Sequence, residues 1–319
     1  MKKVKFEIVG VGDFGVMHIQ ALKQLPEAEV HAVSCRTESR LKAICEKYKI
    51  PNWYTNVNDP EMDVIIVATG EDTHYSFTEK AIREGKHVLL EKPICLNVED
   101  GKKLLELEQN TDLYILPGHI LRYDASYNNA YRILQNEDMY GKILSIRVKR
   151  NVPIERFSLH SRTHPVFMAL AHDIDIITWL TNSRIKSVCG IQKKSKEEYR
   201  SPDIAEMENG VVCNLETQWR LPNEFGQYLD TELTVMTEKG QLKLNCPGNT
   251  LVSMFDGKLE SHDMTLWPEI NGEITGALVN ENKHMIDLVL GRTKKPIVTV
   301  EQAVRGIEFC QYLIESCNT

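Results

Sequence analysis

Three glycines near the amino terminus constrain this chain more than any other feature. Gly10-Val11-Gly12-Asp13-Phe14-Gly15 comes directly after the strand-like run Val4-Lys5-Phe6-Glu7-Ile8-Val9. Apolar residues at helical spacing then occupy 17–25 and stop at Pro26. A GxGxxG turn between a strand and a helix suits a dinucleotide. The glycines permit a tight turn and close backbone approach, and the helix N-terminus faces a pyrophosphate. Alone the motif is weak; its weight comes from the strand and helix signals after it. A second strand is expected at 30–34. Leu41, Ile44, Cys45 and Tyr48 then share one helix face. Asp63 to Thr69 is a continuous apolar run, as in a strand covered on both faces. A helix with Phe77, Ala81 and Ile82 inward ends at Gly85; a strand at 87–90, a helix at 98–108 and a fifth strand at 113–116 complete the series. The pattern predicts an α/β protein that starts as a Rossmann-type, doubly wound parallel sheet.

The 319 residues are enough for about two domains, at roughly 100–200 residues each. Residues 1–120 are expected to bind the nucleotide. Residues 121–319 are expected to hold the substrate, with the final helix packing back on the first domain. In this second part helices are expected at 125–135 and 165–181, and strands at 143–149, 185–192, 203–208, 211–219, 229–236 and 241–245. Asn209-Gly210 and Glu238-Lys239-Gly240 read as hairpin turns. This predicts an α+β domain with a mostly antiparallel open sheet. The polar stretch 193–202 reads as an exposed loop, and helices at 276–290 and 301–316 close the chain. No internal repeat or low-complexity segment interrupts it.

Composition narrows the partners. Lys and Arg total 38 against 45 Asp and Glu, a net charge of −7, so the chain has no general attraction for nucleic acid. No stretch approaches the roughly 20 apolar residues of a membrane span. The first residues are too short and too interrupted for a signal peptide, and a cytoplasmic protein is expected. Eight cysteines, at 35, 45, 95, 189, 213, 246, 310 and 317, form no CxxC pair. They read as reduced thiols rather than as a disulfide framework or zinc site. No metal is expected: His160, His164 and His172 are the nearest thing to a ligand set, and the first two flank a loop.

The end of the second strand selects among cofactors. An NAD site usually places Asp or Glu there for the ribose 2′-hydroxyl. This chain reads Ser34-Cys35-Arg36-Thr37. Arg36 suits a 2′-phosphate, with the Ser34 and Thr37 hydroxyls as further donors, so NADP is expected in preference to NAD. Glu91-Lys92-Pro93 comes after the fourth strand, where strand ends line the ligand crevice. Beside a nicotinamide, like charge and desolvation would lower the pKa of Lys92, which suits proton transfer. Met168, His172, Asp175 and Trp179 are spaced to share one helix face, so His172 can exchange a proton with a substrate hydroxyl while Asp175 orients it. A lone histidine so placed is otherwise a core residue.

Together GVGDFG, the segment from Asp63 to Pro93 and HDIDIITWL resemble the Gfo/Idh/MocA oxidoreductases over nearly the whole chain, including His119 to Tyr123 and the turn at Thr237 to Gly240. The resemblance implies NAD(P)-dependent action on sugars, inositols and related polyols. It also implies a homodimer or homotetramer formed through the open sheet. Lys92 and His172 become the implied catalytic residues. Gly10, Gly12, Asp13, Phe14, Gly15, Ser34, Arg36, Thr37, Thr69, His74, Glu91 and Lys92 become the cofactor-binding set, and His119, Arg122, His160 and Asp175 the substrate candidates. The chain departs from the family at two places. Met168 stands where an aspartate is usual, four residues before the histidine, and Gly70-Glu71 replaces Pro-Asn. A thioether cannot relay a proton, so an NADP-binding sensor or regulatory protein with little turnover is the second reading. A reductase of a non-sugar carbonyl or pigment is the third.

Overall fold

The computed structural model describes residues 3–56, 61–159, 162–195, 198–222, 229–245, 251–255, 258–261 and 264–316. The chain forms two compact units, one of Met1–Tyr123 with Glu269–Val304, the other of Asp124–Pro268 with Arg305–Thr319.

The first unit begins with β1 (Val4–Val9), α1 (Asp13–Lys23), β2 (Ala28–Ser34), α2 (Glu38–Tyr48), β3 (Asn52–Tyr54), β4 (Val64–Val67), α3 (His74–Arg83), β5 (His87–Glu91), α4 (Val98–Gln109) and β6 (Ile115–Gly118). All pairings are parallel, in the order β3-β2-β1-β4-β5-β6. The expected doubly wound sheet is present, with one strand more than the sequence revealed. The extra strand, β3, is three half-buried residues at the edge, too short to carry a pattern. By contrast β4, Val-Ile-Ile-Val, is buried throughout because helices cover both faces. Strand order reverses between β1 and β4, so their carboxyl ends open the crevice where ligands bind in such sheets.

The second unit contains α5 (Ala125–Leu134), α6 (Glu137–Tyr140), β7 (Ile143–Pro153), α7 (Ile154–Leu159), α8 (Ala171–Thr181), β8 (Ile185–Gly190), β9 (Lys193–Lys194), β10 (Tyr199–Met207), β11 (Val212–Leu221), β12 (Asp230–Thr237) and β13 (Gly240–Leu244), then a hairpin of β14 (Val252–Phe255) and β15 (Lys258–Ser261). Its main sheet runs β13-β12-β7-β11-β10-β8. Every pairing along it is antiparallel except β7 with β11, which is parallel. Alternation is clean: Cys213, Leu215, Thr217 and Trp219 of β11 are buried, while Val212 and Asn214 face out.

One local expectation is corrected and another is refined. The stretch 193–202 is not an exposed loop, because it holds β9 and the start of β10, with Tyr199 and Ser201 fully buried. Its polar residues alternate with inward ones, and charge masked the alternation. The helix expected at 165–181 is present without a break, and its first turn departs from α geometry. Val166–Leu170 is a π-helical turn, and α8 begins only at Ala171.

The chain then returns to the first unit with β16 (Glu269–Ile270), β17 (Glu273–Ile274) and α9 (Ala277–Val289). Met285, Ile286 and Leu288 of α9 join Val4, Phe6, Ile19 and Leu22 in one hydrophobic core. A contiguous second domain from residue 121 does not provide this return. The division between units falls inside the last helix, α10 (Val300–Ser316), after Val304. The six described cysteines are free thiols; Cys246 and Cys317 lie outside the described residues. No described helix is long and apolar enough to cross a membrane.

Candidate active site

The three glycines of the first turn have different reasons to be glycine. Gly10 has φ +95°, and a Cβ there would collide with the carbonyl oxygen of Ala68. A Cβ at Gly15 would collide with the carbonyl oxygen of Gly10. Both are demanded by packing. Gly12 has an extended backbone that any residue adopts, and a Cβ there would meet nothing within 4 Å. Gly12 is also the N-cap of α1 and supplies no side-chain cap, so the first N–H groups of the helix point outward unpaired by any capping side chain. The fold does not need a glycine at 12, whereas a phosphate approaching the helix N-terminus does. The residues present therefore fit a dinucleotide. Asp13 is exposed beside this turn and Phe14 half-buried.

At the end of β2, Ser34 turns inward, and its hydroxyl donates to Glu7 Oε1 at 2.7 Å with both residues buried. Ser34 was expected to face a 2′-phosphate; its side chain is committed to the core instead. Thr37 is exposed and starts α2 without a side-chain cap. Arg36 is exposed. One turn on, Arg40 Nη2 lies 4.0 Å from Asp13 Oδ1. The fold thus brings a second cation to the N-terminus of α1, at a position no motif marks.

The turns after β4 and β5 are tied together. Thr69 Oγ1 pairs with Thr73 Oγ1 at 2.8 Å, and the Thr73 hydroxyl donates to Gly70 O. His74 is buried, with Nδ1 2.7 Å from Pro93 O and Nε2 3.3 Å from Thr69 O. Burial lowers its pKa against the opposing pull of those carbonyls, Glu91 and Glu71. His74 therefore braces the turn that contains the cis Lys92–Pro93 bond. Lys92 is half-buried directly after β5, at the edge of the crevice. Glu91 is held internally: Oε1 lies 2.9 Å from His18 Nε2, and Oε2 accepts the Lys92 backbone N–H at 3.2 Å. Glu91, expected to touch cofactor, is a group of the interior. The Phe14 ring packs edge-on against His18.

Arg122 is also corrected. It is fully buried, and Nη1 donates to Ile297 O at 3.2 Å and Gln302 Oε1 at 2.7 Å, so the side chain ties segments of the first unit together. His119 is buried nearby in the chain.

In the second unit His172 is half-buried at the start of α8. Its neighbour Asp173 is fully enclosed and pairs with Arg150 of β7 through Nε at 2.5 Å and Nη2 at 3.0 Å. Burial nonetheless leaves the Asp173 carboxyl above its ordinary pKa. This bidentate pair anchors the start of α8 to the sheet and so fixes the helix that carries His172. Asp175 is buried on the same helix. The preceding turn makes i→i+5 hydrogen bonds, so Met168 does not keep the α-helical spacing to His172 that the sequence suggested. His164 packs edge-on against Tyr199. His160 lies outside the described residues. Lys92 belongs to the first unit and His172 to the second. Among the described residues, His18, Glu91 and Glu281 form the one grouping with metal-ligand spacing, not the histidines weighed from sequence.

Comparison with known proteins agrees with this geometry. Residues 4–119 match the model of the GFO_IDH_MocA oxidoreductase family, NAD-binding Rossmann fold. The chain is 25% identical to scyllo-inositol 2-dehydrogenase (NAD(+)) of Bacillus subtilis, over 96% of this chain and 92% of that protein. It is 26% identical to an inositol 2-dehydrogenase of Corynebacterium glutamicum, over 77% and 75%. Its fold is shared with scyllo-inositol dehydrogenase from Lactobacillus casei with bound NAD(H) and scyllo-inositol, at TM-score 0.84 and 19% identity, covering 99% of this chain and 97% of that one. It is shared as well with GenD2 from gentamicin A biosynthesis, at TM-score 0.86 and 16% identity, covering 100% and 95%. A glycine turn built to admit a dinucleotide, a lysine at the crevice edge and these relatives point the same way: residues 4–119 match the Gfo/Idh/MocA family of oxidoreductases, and the chain resembles an inositol dehydrogenase of that kind over most of its length.

Proposed function

We propose that the protein transfers a hydride between NADP and a hydroxyl or carbonyl carbon of a sugar, polyol or sugar derivative, with inositols the first class to try. The observation that carries the reading is Gly12, open to the outside where packing demands nothing. When bound, the nicotinamide accepts or supplies the hydride. The N-terminus of α1 holds the pyrophosphate. Asp13, Phe14, Thr37 and Thr69 border it, and His74 keeps the turns beneath it in place. Lys92 holds or moves the proton at the reacting oxygen. His172, on a helix start anchored by Arg150 and Asp173, is the second proton-handling group. NADP over NAD is supported by Arg36 and Arg40 and by the lack of an acid at the end of β2. The resemblance supports a homo-oligomer through the open face of the second sheet, where Ile204 (54%), Val212 (45%) and Met236 (42%) are exposed.

Fluorescence titration with NADPH and NADH, followed by a panel of inositols, sugars and keto sugars monitored at the NADPH absorbance, tests the reading. NADPH is expected to bind at least about tenfold tighter, the worth of one good charge-assisted contact. Lys92→Ala and His172→Ala are each expected to lower kcat by about 10²–10⁴. Tighter NADH binding overturns the cofactor preference, and full turnover in either variant overturns its role. Tight cofactor binding with no turnover on any substrate favours the sensor reading, for which Met168 speaks.

A further inference from the structure

Behind the lysine-bearing turn lies a polar cluster that the cofactor site does not use. His18 of α1, Glu91 of β5, and Glu281 and Asn282 of α9 are all buried. One donor atom from each of His18, Glu91 and Glu281 lies within 4.8 Å of the others. Hydrogen bonds tie the cluster together. Asn282 Nδ2 donates to Leu278 O at 2.9 Å, which sets the orientation of the amide, and the Nδ2 and Oδ1 atoms of that amide lie 3.0 and 3.2 Å from His18 Nδ1. His18 Nε2 lies 2.9 Å from Glu91 Oε1, and an ionised Glu91 accepts its proton in a hydrogen bond. The other Glu91 oxygen accepts the Lys92 backbone N–H. Both Glu91 oxygens act as acceptors, as in a carboxylate.

Glu281 differs. It is fully buried, and neither of its oxygens has a hydrogen-bond partner among the described residues. Burial, and then the charge of Glu91, raise its pKa well above the ordinary value. Its titratable neighbours come from several elements. His18 comes from α1 and Glu91 from β5. From the turn Ile120–Tyr123, Arg122 is directed to Ile297 and Gln302, with His119 buried just before it. On α9 itself, His284 packs against the Tyr123 ring.

We propose that Glu281 is a positioning residue for Lys92: as a neutral carboxylic acid it lets Glu91 carry the cluster's one negative charge, and Glu91, held by His18, fixes the turn from which Lys92 projects. This rests on the proposed role of Lys92. Ionising Glu281 sets two carboxylates against each other in a buried site, and the turn is what yields. The direction comes from linkage. The folded chain holds a proton that the unfolded chain releases at the ordinary glutamate pKa. The contribution of Glu281 to stability is therefore complete below that pKa and is lost as pH rises toward the folded value. Glutamine keeps the shape and cannot ionise.

The test uses the full chain with Glu281→Gln and Glu281→Ala, reading kcat and KM against pH, melting temperature against pH, and metal content by elemental analysis. Glu281→Gln is expected to keep kcat within about threefold at pH 7, to melt above the parent by a margin that widens from about pH 5 to 9, and to extend activity to higher pH. Glu281→Ala is expected to lose kcat by about tenfold or more with cofactor KM unchanged, as displacement of a reacting group does. If Glu281→Gln matches the parent at every pH, the proposal is overturned. It is equally overturned by a stoichiometric divalent ion in the parent that Glu281→Gln lacks, because the cluster is then a metal site. Full turnover in Lys92→Ala sinks the reading of Lys92 alone and leaves the melting comparison to judge the charge state of Glu281.

Discussion

Gly12, Ser34 and Arg122 show how single residues divide between folding and binding. Gly10 and Gly15 are held by backbone collisions inside the turn, and Gly12 by none. Asparagine is a favoured N-cap. Gly12→Asn is therefore expected to change unfolding free energy by less than about 0.5 kcal/mol in urea, as other surface changes do. The same variant is expected to weaken dinucleotide binding by about tenfold or more, because its side chain enters the phosphate approach. Wild-type affinity in Gly12→Asn would refute the assignment of this turn to the pyrophosphate. Ser34 and Arg122 have chemistry suited to anions, and the fold directs both inward, to Glu7 and to Gln302. Their residue types were legible; the direction of their side chains was not, since direction depends on partners distant in sequence.

Among the elements, the π turn Val166–Leu170 has the most consequence. It is led by His164, whose Nδ1 accepts the Val166 N–H at 3.3 Å. Burial, with a contribution from Lys194, pushes the His164 pKa down to about 4. A protonated Nδ1 cannot accept, so charging the ring breaks the lead-in to the turn. The sign is that of a histidine buried neutral. The unfolded chain binds the proton near the ordinary value of 6.5 and the folded chain only near about 4, so stability is present above the first and falls on acidification through that window. Discounted for the partial exposure of the ring, the loss is about 1–2 kcal/mol. His164→Asn is expected to flatten the slope of melting temperature across this acid window by that amount. An unchanged slope would show that other groups govern acid sensitivity. Helical periodicity located this element but could not reveal its first turn, because a π turn keeps the same apolar composition as an α turn.

At the scale of the molecule, the first unit is completed by residues far along the chain. Met285, Ile286 and Leu288 are each at most 1% exposed within its core. Burying three such side chains contributes about 4–9 kcal/mol, comparable with the whole net stability of a domain, about 5–15 kcal/mol. The fragment 1–123, although it holds all six strands of the parallel sheet, is expected to lack a cooperative thermal transition and dispersed amide NMR signals. A sharp melt for that fragment would show that the parallel sheet stabilises itself without α9.

The sequence alone determined the parallel sheet, the glycine turn and the candidates Lys92 and His172, because these are written in short windows: continuous apolar runs, helical spacing and motifs of a few residues. Only the tertiary structure decided the rest. The cluster behind Lys92 joins His18 to Glu91 across 73 positions and to Asn282 across 264. Arg150 meets Asp173 across 23. Hydrogen bonds and burial depend on which side chains come within about 3 Å, and that is set by how the elements pack rather than by the order of residues along any one of them.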